Sequence, residues 1–567
     1  MRLFPYLSRR LEGISARFQV VAKSPLAASR GDSGDKVSGK CNPETASGRT
    51  RVLFAQVGGA LAVAALIAGC GNNYRPVVTP ITSNGPAAQP TSYAVVVSAP
   101  SATTNGIATI IDYSGDSVMA VAPIGLGPLA FVVDEIGGTG YTFNIDHTIT
   151  NFPITTTLQQ KNESTSTLPA LAQPINLYVP NIGLWIGDLN GNLIDTFSGS
   201  PQAFKLAIPL APASTPVYIA GSPSGSGQRQ YAISQNTTSP TGVECNLAPQ
   251  AQGLGVATPI EAESFTTDVP IPVGKCPVFA VQSPDLRRLF VLNRGDDTIT
   301  VINSQSNSLD QCAPFLNQNG QLVKCHPTLP LSTTAVTATG VTPPNGTTGM
   351  GATAGPVYSE FNQATSQLVV ANYDGSTISI IDVSLDQYGN DSSTFGTTYT
   401  VPVGTNPASV TVLFDGTRAY TANQGDCTPN CTSSANGSVS IINLASHTVE
   451  KKLGVVGVPR TVVSTQNSLF GKVYVASPNS PFLTIVATQT DLINTTVLVE
   501  GNVVDVRATS QTGTAQTVPT YNGSVNFSNP QYSSRIPGYG QPCNLPPAMM
   551  TAKYGASYTL AQCRAIP

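Results

Sequence analysis

The chain has 567 residues and a formal net charge of −3, and only 10% of its residues are charged, against about a quarter in an average soluble protein. Hydrophobic residues make up 41%, and 51 glycines and 45 prolines accompany them, which excludes wholesale disorder and favours many short strands joined by turns. The first 51 residues hold ten of the 28 Lys/Arg and four of the 31 Asp/Glu. The remainder is therefore acidic, with 18 basic and 27 acidic groups, and we expect no nucleic acid partner.

Residues 1–51 are basic and contain no strand pattern. A start codon placed too far upstream explains such a leader, and a long genuine leader is the alternative. The next segment, 52–70, begins after Arg49 and Arg51 with an almost uninterrupted apolar run and ends at Gly69 and Cys70. A basic flank, a short apolar core and small residues before a break predict a secretory signal peptide rather than a transmembrane helix.

The end of this segment resembles the lipobox of bacterial lipoproteins, through Leu66, Ile67, Ala68, Gly69 and Cys70. The resemblance implies that Cys70 is lipidated and that the mature protein is held at the membrane by a lipid anchor in the bacterial cell envelope. Gly71 after the cysteine favours the outer membrane, on its periplasmic face or at the cell surface. An ordinary cleaved signal with an incidental cysteine is the alternative. Residues 71–92, with four prolines, are predicted to form an extended tether.

Four stretches of the chain repeat one pattern, in which an asparagine follows a proline by sixteen residues. The pairs are Pro128 with Asn144, Pro277 with Asn293, Pro356 with Asn372, and Pro407 with Asn423. A strand of alternating apolar residues follows the asparagine, as in 298–303, 377–382 and 438–443. Self-similar units made only of strands predict a ring of four-stranded sheets, which is a β-propeller.

We expect an all-β, seven-bladed β-propeller over residues 93–510, with six or eight blades as alternatives. Units begin near 128, 174–201, 277, 356, 407 and 459. Segments 93–98 and 107–112 look like second and third strands that lack a first, and 503–506 looks like a first strand that lacks successors. Pairing the two ends in one blade removes exposed sheet edges, so we predict that the termini of this domain close the ring.

The segments that end at the repeated asparagines, 290–293, 369–372 and 420–423, resemble the YVTN-type β-propeller repeat of bacterial surface proteins. That repeat is related to seven-bladed lactonase-like propellers. The resemblance covers 277–460 most clearly, extends over about 93–510, and fades at 155–260. It implies a propeller and permits a lactone hydrolase, but it supplies no catalytic residues here.

Two segments interrupt the repeat, 304–355 and 424–435, and we expect both to leave one face of the ring, where binding usually resides on loops. Residues 511–567 lack periodicity and are predicted to be an irregular polar tail. An even number of cysteines beyond Cys41 and Cys70 agrees with an oxidising compartment. Neighbours in sequence suggest the disulfides Cys312 with Cys325, Cys427 with Cys431, Cys543 with Cys563, and Cys245 with Cys276.

Little in the sequence indicates a cofactor or a catalytic set. The chain has only three histidines, His147, His326 and His447, which is too few for a multicopper centre, and only one tryptophan, which is too few for a quinone-dependent propeller. Cys427 and Cys431 have three residues between them and no histidine after them, unlike a haem attachment motif. We therefore expect no cofactor and no metal. His447 is expected to lie solvated in a turn. Acidic residues recur near strand ends at Asp296, Asp297 and Asp374, where a calcium site or an acid pair competes with the simpler interpretation that they make turns.

The expected function is therefore binding or scaffolding at the cell envelope, through loops on one rim that meet a protein, a polysaccharide or a small-molecule ligand. The alternative is a lactonase-like hydrolase acting in the central funnel. A binding module predicts a funnel of Ser, Thr and apolar residues. An enzyme predicts at least two convergent carboxylates with a nearby Arg or His.

Overall fold

The computed structural model describes residues 92–510 and 533–535, apart from 114, 135–137, 155–163, 181–182, 190, 200–201, 213, 222–228, 236–253, 318–319, 332–353, 426–436 and 466–470. The leader, the lipobox with Cys70 and the tether up to residue 91 therefore lie outside the described residues, as do most of the residues after 510. In the described part of the chain, no helix is long and apolar enough to cross a membrane.

The described residues form eight antiparallel blades of four strand positions each. Blade one combines the two ends of the domain, and blades two to four follow in chain order. From the innermost strand outwards, blade one is β36 (Asn502–Ser510), β1 (Ser92–Ala99), β2 (Asn105–Asp112) and β3 (Val118–Leu126); blade two is β4 (Pro128–Val133), β5 (Thr139–Asn144), β6 (Thr148–Pro153) and β7 (Ser164–Thr167); blade three is β8 (Pro174–Tyr178), β9 (Leu184–Asp188), β10 (Leu193–Ser198) and β11 (Ala203–Pro209); blade four is β12 (Pro216–Gly221), β13 (Arg229–Ser234) and β14 (Leu254–Glu261), with β15 (Thr266–Thr267) and β16 (Ile271–Lys275) sharing the outer position.

Blades five to eight repeat the same plan, and blade five carries an additional hairpin in its outer strand. Blade five is β17 (Pro277–Gln282), β18 (Arg288–Asn293) and β19 (Thr298–Asn303), with β20 (Ser308–Leu309) and β23 (Thr328–Pro330) in the outer position. The hairpin of β21 (Phe315–Leu316) and β22 (Leu322–Val323) lies between β20 and β23 in the chain. Blade six is β24 (Pro356–Asn362), β25 (Gln367–Asn372), β26 (Thr377–Asp382) and β27 (Thr398–Pro402); blade seven is β28 (Pro407–Val412), β29 (Arg418–Asn423), β30 (Gly437–Asn443) and β31 (Thr448–Val455); blade eight is β32 (Thr461–Ser464), β33 (Lys472–Ala476), β34 (Phe482–Ala487) and β35 (Leu492–Leu498). A last strand, β37 (Ser533–Arg535), pairs with β8.

The innermost strands form a closed circle in which each contacts the next, from β36 through β4, β8, β12, β17, β24 and β28 to β32 and back to β36. Strand β36 pairs with β1 along their whole length, with Val96 opposite Val506. The predicted closure of the ring by its two termini is confirmed. It leaves blade one without an unpaired inner edge, which is the physical advantage of such a closure.

The number of blades is eight and not the expected seven. The region counted as one unit, 174–201, contains only blade three, which begins at Pro174. A separate blade four begins at Pro216. Its pattern is hard to recognise because long segments, 222–228 and 236–253, separate its first three strands, so the spacing of the other repeats is lost.

The repeated proline and asparagine face each other across the first hairpin of a blade. Pro277 is the register partner of Asn293, and the same pairing occurs in blades two, six and seven. We call the edge of the ring that carries these pairs the upper rim and the opposite edge the lower rim. The Asn293 amide is fully buried and donates to Thr298 and Thr300 on the third strand, at 3.0 and 2.9 Å. The asparagines are therefore structural, because each joins the second and third strands of its blade.

In blades two and five, the glycine that precedes the repeated proline is required by a close contact with the asparagine. A Cβ at Gly274 would lie 2.6 Å from the amide nitrogen of Asn293, which is closer than side chains approach in practice. The Gly274 N–H donates to the Thr300 hydroxyl at 3.2 Å, and Gly125 does the same with Thr150 at 3.1 Å. The glycine, the asparagine and the hydroxyl thus form one unit that recurs around the upper rim.

The core lies between the blades. Tyr420 of blade seven packs in one buried cluster with Val462, Val473 and Val475 of blade eight, and equivalent clusters join the other neighbouring blades. Because both faces of each central strand are covered by adjacent sheets, the strands read as nearly continuous apolar runs.

Candidate functional site

The acidic residues predicted to gather on one rim do lie on the upper rim, but they are engaged in structural contacts. Asp296 accepts the backbone N–H of Lys275 at 3.0 Å, and Asp297 accepts that of Gly355 at 2.8 Å. Asp374 receives two bonds from Arg294 at 2.9 Å each. The described residues contain no group of three or more His, Cys, Asp and Glu arranged to hold a metal ion. These acids thus make turns and join neighbouring blades.

The central channel contains part of the chain's own tail. Strand β37 adds to the inner edge of β8, with Ser534 opposite Leu177, and it also contacts β4 and β12. The Asn176 side chain donates to the Ser534 carbonyl at 2.9 Å. The prediction of an irregular tail is therefore wrong for these three residues, because unpaired backbone groups on β8 offer them a strand to join.

Aromatic rings and guanidinium groups line a cavity of about 40 Å³ in the channel. The Phe279 ring lies between Tyr218 and Tyr358, with centroids 4.5 and 4.8 Å away. Arg460, Arg507 and Arg535 line the same cavity together with a single carboxylate, Asp505. Among the described lining residues, this set has fewer carboxylates than the hydrolase hypothesis requires and more charge than the binding hypothesis predicts.

A much larger groove opens on the lower rim between blades five and six, with a volume of about 590 Å³. We call it the lower-rim groove. Three loops form it, and its polar lining residues include Ser283, Asp285, Arg287, Arg288, Gln363, Ser366, Asp386 and Gln387. Phe361, Val383 and Leu385 supply its apolar floor. A concave site with an apolar base and several polar groups has the general composition of a ligand pocket.

Behind one wall of this groove lies a buried cluster of charges, the Arg288 cluster, formed by Arg288, Asp310, Asp391 and His326. The Arg288 guanidinium lies 3.1 Å from an oxygen of Asp310 and 3.2 Å from one of Asp391. Burial, and then the negative charge of Asp391, raises the pKa of Asp310 to about 6. The cluster joins blade five, the inserted hairpin and the loop after β26 by charge-assisted hydrogen bonds.

His326 is the only member of the Arg288 cluster with substantial exposure, at 31% of its side chain. Its Nδ1 lies 2.8 Å from Asp391 Oδ2, and its ring stacks on Phe395 at 5.2 Å. It directly follows Cys325, which is bonded to Cys312. A buried carboxylate at one nitrogen and a stacked ring fix the orientation of an imidazole, as in sites where histidine acts as a base.

Large parts of both interruptions, 332–353 and 426–435, lie outside the described residues, and the described parts leave their blades at different places. The disulfide hairpin leaves the outer strand of blade five opposite Val301, between Asp310 and Pro327. The segment 424–435 connects β29 to β30, whose adjoining ends lie at the upper rim. The reason is topological, because the first insertion divides an outer strand whereas the second extends a connection between strands.

The outcomes for the remaining predicted residues differ. His447 lies in a turn with φ of 55° but is not simply solvated, because its ring stacks on Tyr399 at 3.7 Å; burial lowers its pKa. Cys276 is also disulfide-bonded. The other predicted cysteines, Cys245, Cys427, Cys431, Cys543 and Cys563, and the lipobox residues Leu66, Ile67, Ala68, Gly69 and Cys70 lie outside the described residues.

The charged residues of both candidate sites were not recognised in the sequence. Asp391 lies 103 residues from Arg288, and Arg535 lies 178 residues from Val357, whose carbonyl it binds. Neither pair belongs to the repeated pattern. The one available signal in the sequence was the interruption of the repeat, because the insertion that carries His326 and the tail that carries Arg535 both depart from the repeated pattern.

No protein-family model matches the chain, and no curated protein matches it. Solved structures do resemble it. Apo AztD from Citrobacter koseri is 10% identical, with 74% of this chain and 98% of that one covered and a TM-score of 0.46. The dihydro-haem d1 dehydrogenase NirN is 13% identical, with 76% and 78% covered and a TM-score of 0.49. A putative 6-phosphogluconolactonase from Bacteroides fragilis is 14% identical, with 75% and 99% covered and a TM-score of 0.42. Likeness of this degree carries no argument about function.

Proposed function

We propose that this protein is a lipid-anchored β-propeller of the bacterial cell envelope that acts as a binding or scaffolding module through the lower-rim groove. The observation that supports this most is the difference in free space. The groove offers about 590 Å³, whereas the cavity in the channel has about 40 Å³ and β37 lies in the channel beside it. A ligand of ordinary size needs several hundred Å³.

The groove has the polar groups that recognition needs. Asp285 and Arg287 keep 46% and 39% of their side chains exposed, so both signs of charge are presented side by side. The loop that carries both groups is held by its own hydrogen bonds, because Asp285 accepts from Ser283 and from the backbone of Arg287. Rigid loops on a propeller lose little entropy when a partner binds.

The binding hypothesis is tested by placing a photo-crosslinking amino acid at Gln387 in the groove and, as the control, at Leu492 on the outer strand of blade eight. After illumination of intact cells, we expect a discrete adduct from position 387 and none from position 492. The change Arg287→Glu should remove the adduct. Equal labelling from both positions, or labelling that survives Arg287→Glu, would refute the proposal.

The second candidate is a hydrolase, and the observation that favours it is the orientation of His326 by Asp391. In this scheme, which moves the hydrolase from the central funnel to the Arg288 cluster, His326 would act as a general base on water. Hydrolysis of γ-butyrolactone, followed by acid release at constant pH, tests it. We expect no release above the buffer rate. Release that disappears in His326→Gln would replace the binding hypothesis by the hydrolase hypothesis.

Lipid anchoring is tested separately. Cells fed an alkyne-bearing fatty acid should label the wild-type protein and the control variant Cys41→Ala, but not Cys70→Ala. The physical reason is that only the cysteine at the end of the apolar run is expected to carry acyl chains, and two or more chains are needed for stable anchoring. Labelling of Cys70→Ala would show that Cys70 is not the acylated residue.

A further inference from the structure

The cavity in the central channel has an excess of positive charge. Arg507 and Arg535 are 7% and 9% exposed, and Asp505 is 1% exposed. Arg507 Nη1 donates to Asp505 at 2.8 Å, so this pair is neutral in total. Among the described residues that line the cavity, Arg460 and Arg535 have no carboxylate of their own.

The two remaining guanidinium groups bind only neutral oxygens in the hydrogen bonds of the channel. Arg460 donates to the Arg535 carbonyl at 3.3 Å, and Arg535 donates to the Val357 carbonyl at 3.0 Å. Burial lowers the pKa of Arg460, and it lowers the pKa of Arg535 to about 10. A guanidinium group keeps its proton in proteins, so both groups carry a charge that burial disfavours.

Strand β24, which carries the lining residue Tyr358, also carries a buried acid, but this acid does not supply the missing negative charge. Glu360 on β24 accepts hydrogen bonds from Thr411 and the backbone of Val412, and burial raises its pKa to about 8. It is therefore mostly neutral at pH 7. The described lining residues therefore hold three cations and one carboxylate, and an excess of buried positive charge is costly.

Two polar atoms of residues that line the cavity also lack partners. In the described part of the chain, neither Arg507 Nε nor Asp505 Oδ2 has a hydrogen-bond partner, although both are buried. The first can only donate and the second, when ionised, can only accept. A ligand that satisfies both must carry an acceptor and also an O–H or N–H donor.

We propose that the central cavity is a binding site for a small anion that carries a hydroxyl donor, held by Arg460, Arg507, Arg535 and Asp505. The anionic oxygens would receive bonds from the guanidinium groups, which match planar or tetrahedral oxyanions. The hydroxyl would donate to Asp505 Oδ2. One residue of this site, Arg535, comes from the tail, so the site is complete only when β37 lies in the channel.

The size of the cavity limits the ligand. A volume of about 40 Å³ is enough for about three waters, since one water needs roughly 10–15 Å³ of such space. That corresponds to a compact oxyanion. Two sources have this chemistry, which are hydrogen phosphate and a short hydroxycarboxylate. Because the site lies in the channel and not in the lower-rim groove, it is independent of the function proposed above.

The test uses the full-length, membrane-extracted protein in detergent and measures binding by calorimetry at constant ionic strength. The probes are inorganic phosphate and glycolate, with acetate and chloride for comparison. We expect one site per chain for phosphate or glycolate, and the tighter of the two identifies the source. Acetate, which lacks the hydroxyl, should bind at least tenfold more weakly than glycolate.

Variants separate this proposal from an unspecific effect of salt. Arg507→Gln and Arg460→Gln should each weaken binding at least tenfold, whereas Lys451→Gln on the exposed outer strand of blade seven should leave it unchanged. If the arginine variants do not fold, Asp505→Asn provides the test, because it keeps the three cations and should reduce the preference for glycolate over acetate. The proposal is overturned if neither phosphate nor glycolate binds beyond the chloride control, or if every variant binds as the wild type does.

Discussion

Glu360 offers a direct test of how burial controls the stability of this ring. The residue lies on β24, an innermost strand, and is 7% exposed. Burial raises its pKa from 4.5 to about 8, and the hydrogen bonds from Val412 and Thr411 offset only part of that effect. No cation is among the groups that influence its pKa, so the charged form is disfavoured inside the folded protein.

The sign of the pH dependence follows from proton binding. Between about pH 4.5 and pH 8 the unfolded chain has lost this proton while the folded protein still holds it. Stability that depends on Glu360 is therefore fully present below pH 4.5 and is lost as the pH rises to 8. Each pH unit in this window removes about 1.4 kcal/mol from the free energy of unfolding, which makes about 5 kcal/mol in total.

The variant Glu360→Gln keeps the shape of the side chain and cannot ionise. We expect it to unfold at nearly the wild-type temperature at pH 5 and at a clearly higher temperature at pH 9. Thermal unfolding followed by circular dichroism at both values measures this difference. Glu450→Gln, which removes an exposed carboxylate on β31, is the matched control and should show no such pH-dependent gain. An equal shift at both pH values would refute the reasoning.

Three further predictions concern stability. Asn372→Ala removes two buried hydrogen bonds to Thr377 and Ser379 and should lower the free energy of unfolding by about 2–3 kcal/mol. The control Asn494→Ala, at an exposed asparagine, should lower it by less than about 1 kcal/mol. Similar denaturation midpoints for the two variants would contradict this prediction. The double variant Cys312→Ser/Cys325→Ser removes the cross-link of the hairpin and should be cleaved much faster by trypsin near residue 324 with the ring intact; an unchanged cleavage rate would argue against it. Gly355→Ala places a Cβ 1.9 Å from Asp374 at a φ of 62°. It should reduce the yield of folded protein by more than Gly454→Ala does, because a Cβ at Gly454 meets nothing within 4 Å. Equal yields of the two variants would contradict the steric argument.

The strands and the closure of the ring were predictable because they depend on local patterns. The spacing from Pro277 to Asn293 equals the length of one hairpin, which is two strands and the turn between them, so the repeat directly gives the register of the two strands. The incomplete blades at 93–112 and 503–506 complement each other. In both cases the pattern is strong because burial on two faces and one hydrogen-bonded asparagine constrain the same few residues.

A closed propeller of four-stranded blades could be predicted from the amino-acid pattern, because apolar alternation and turn residues are properties of neighbouring positions. Three features became visible only in the folded protein: the eight blades, the place of Arg535 in the channel, and the contact of Asp391 with Arg288 beside the lower-rim groove. Those features depend on which distant segments come together when the circle closes. Charges that lie a hundred residues apart leave no periodic trace, since their contact is selected by the geometry of the ring and not by the spacing along the chain.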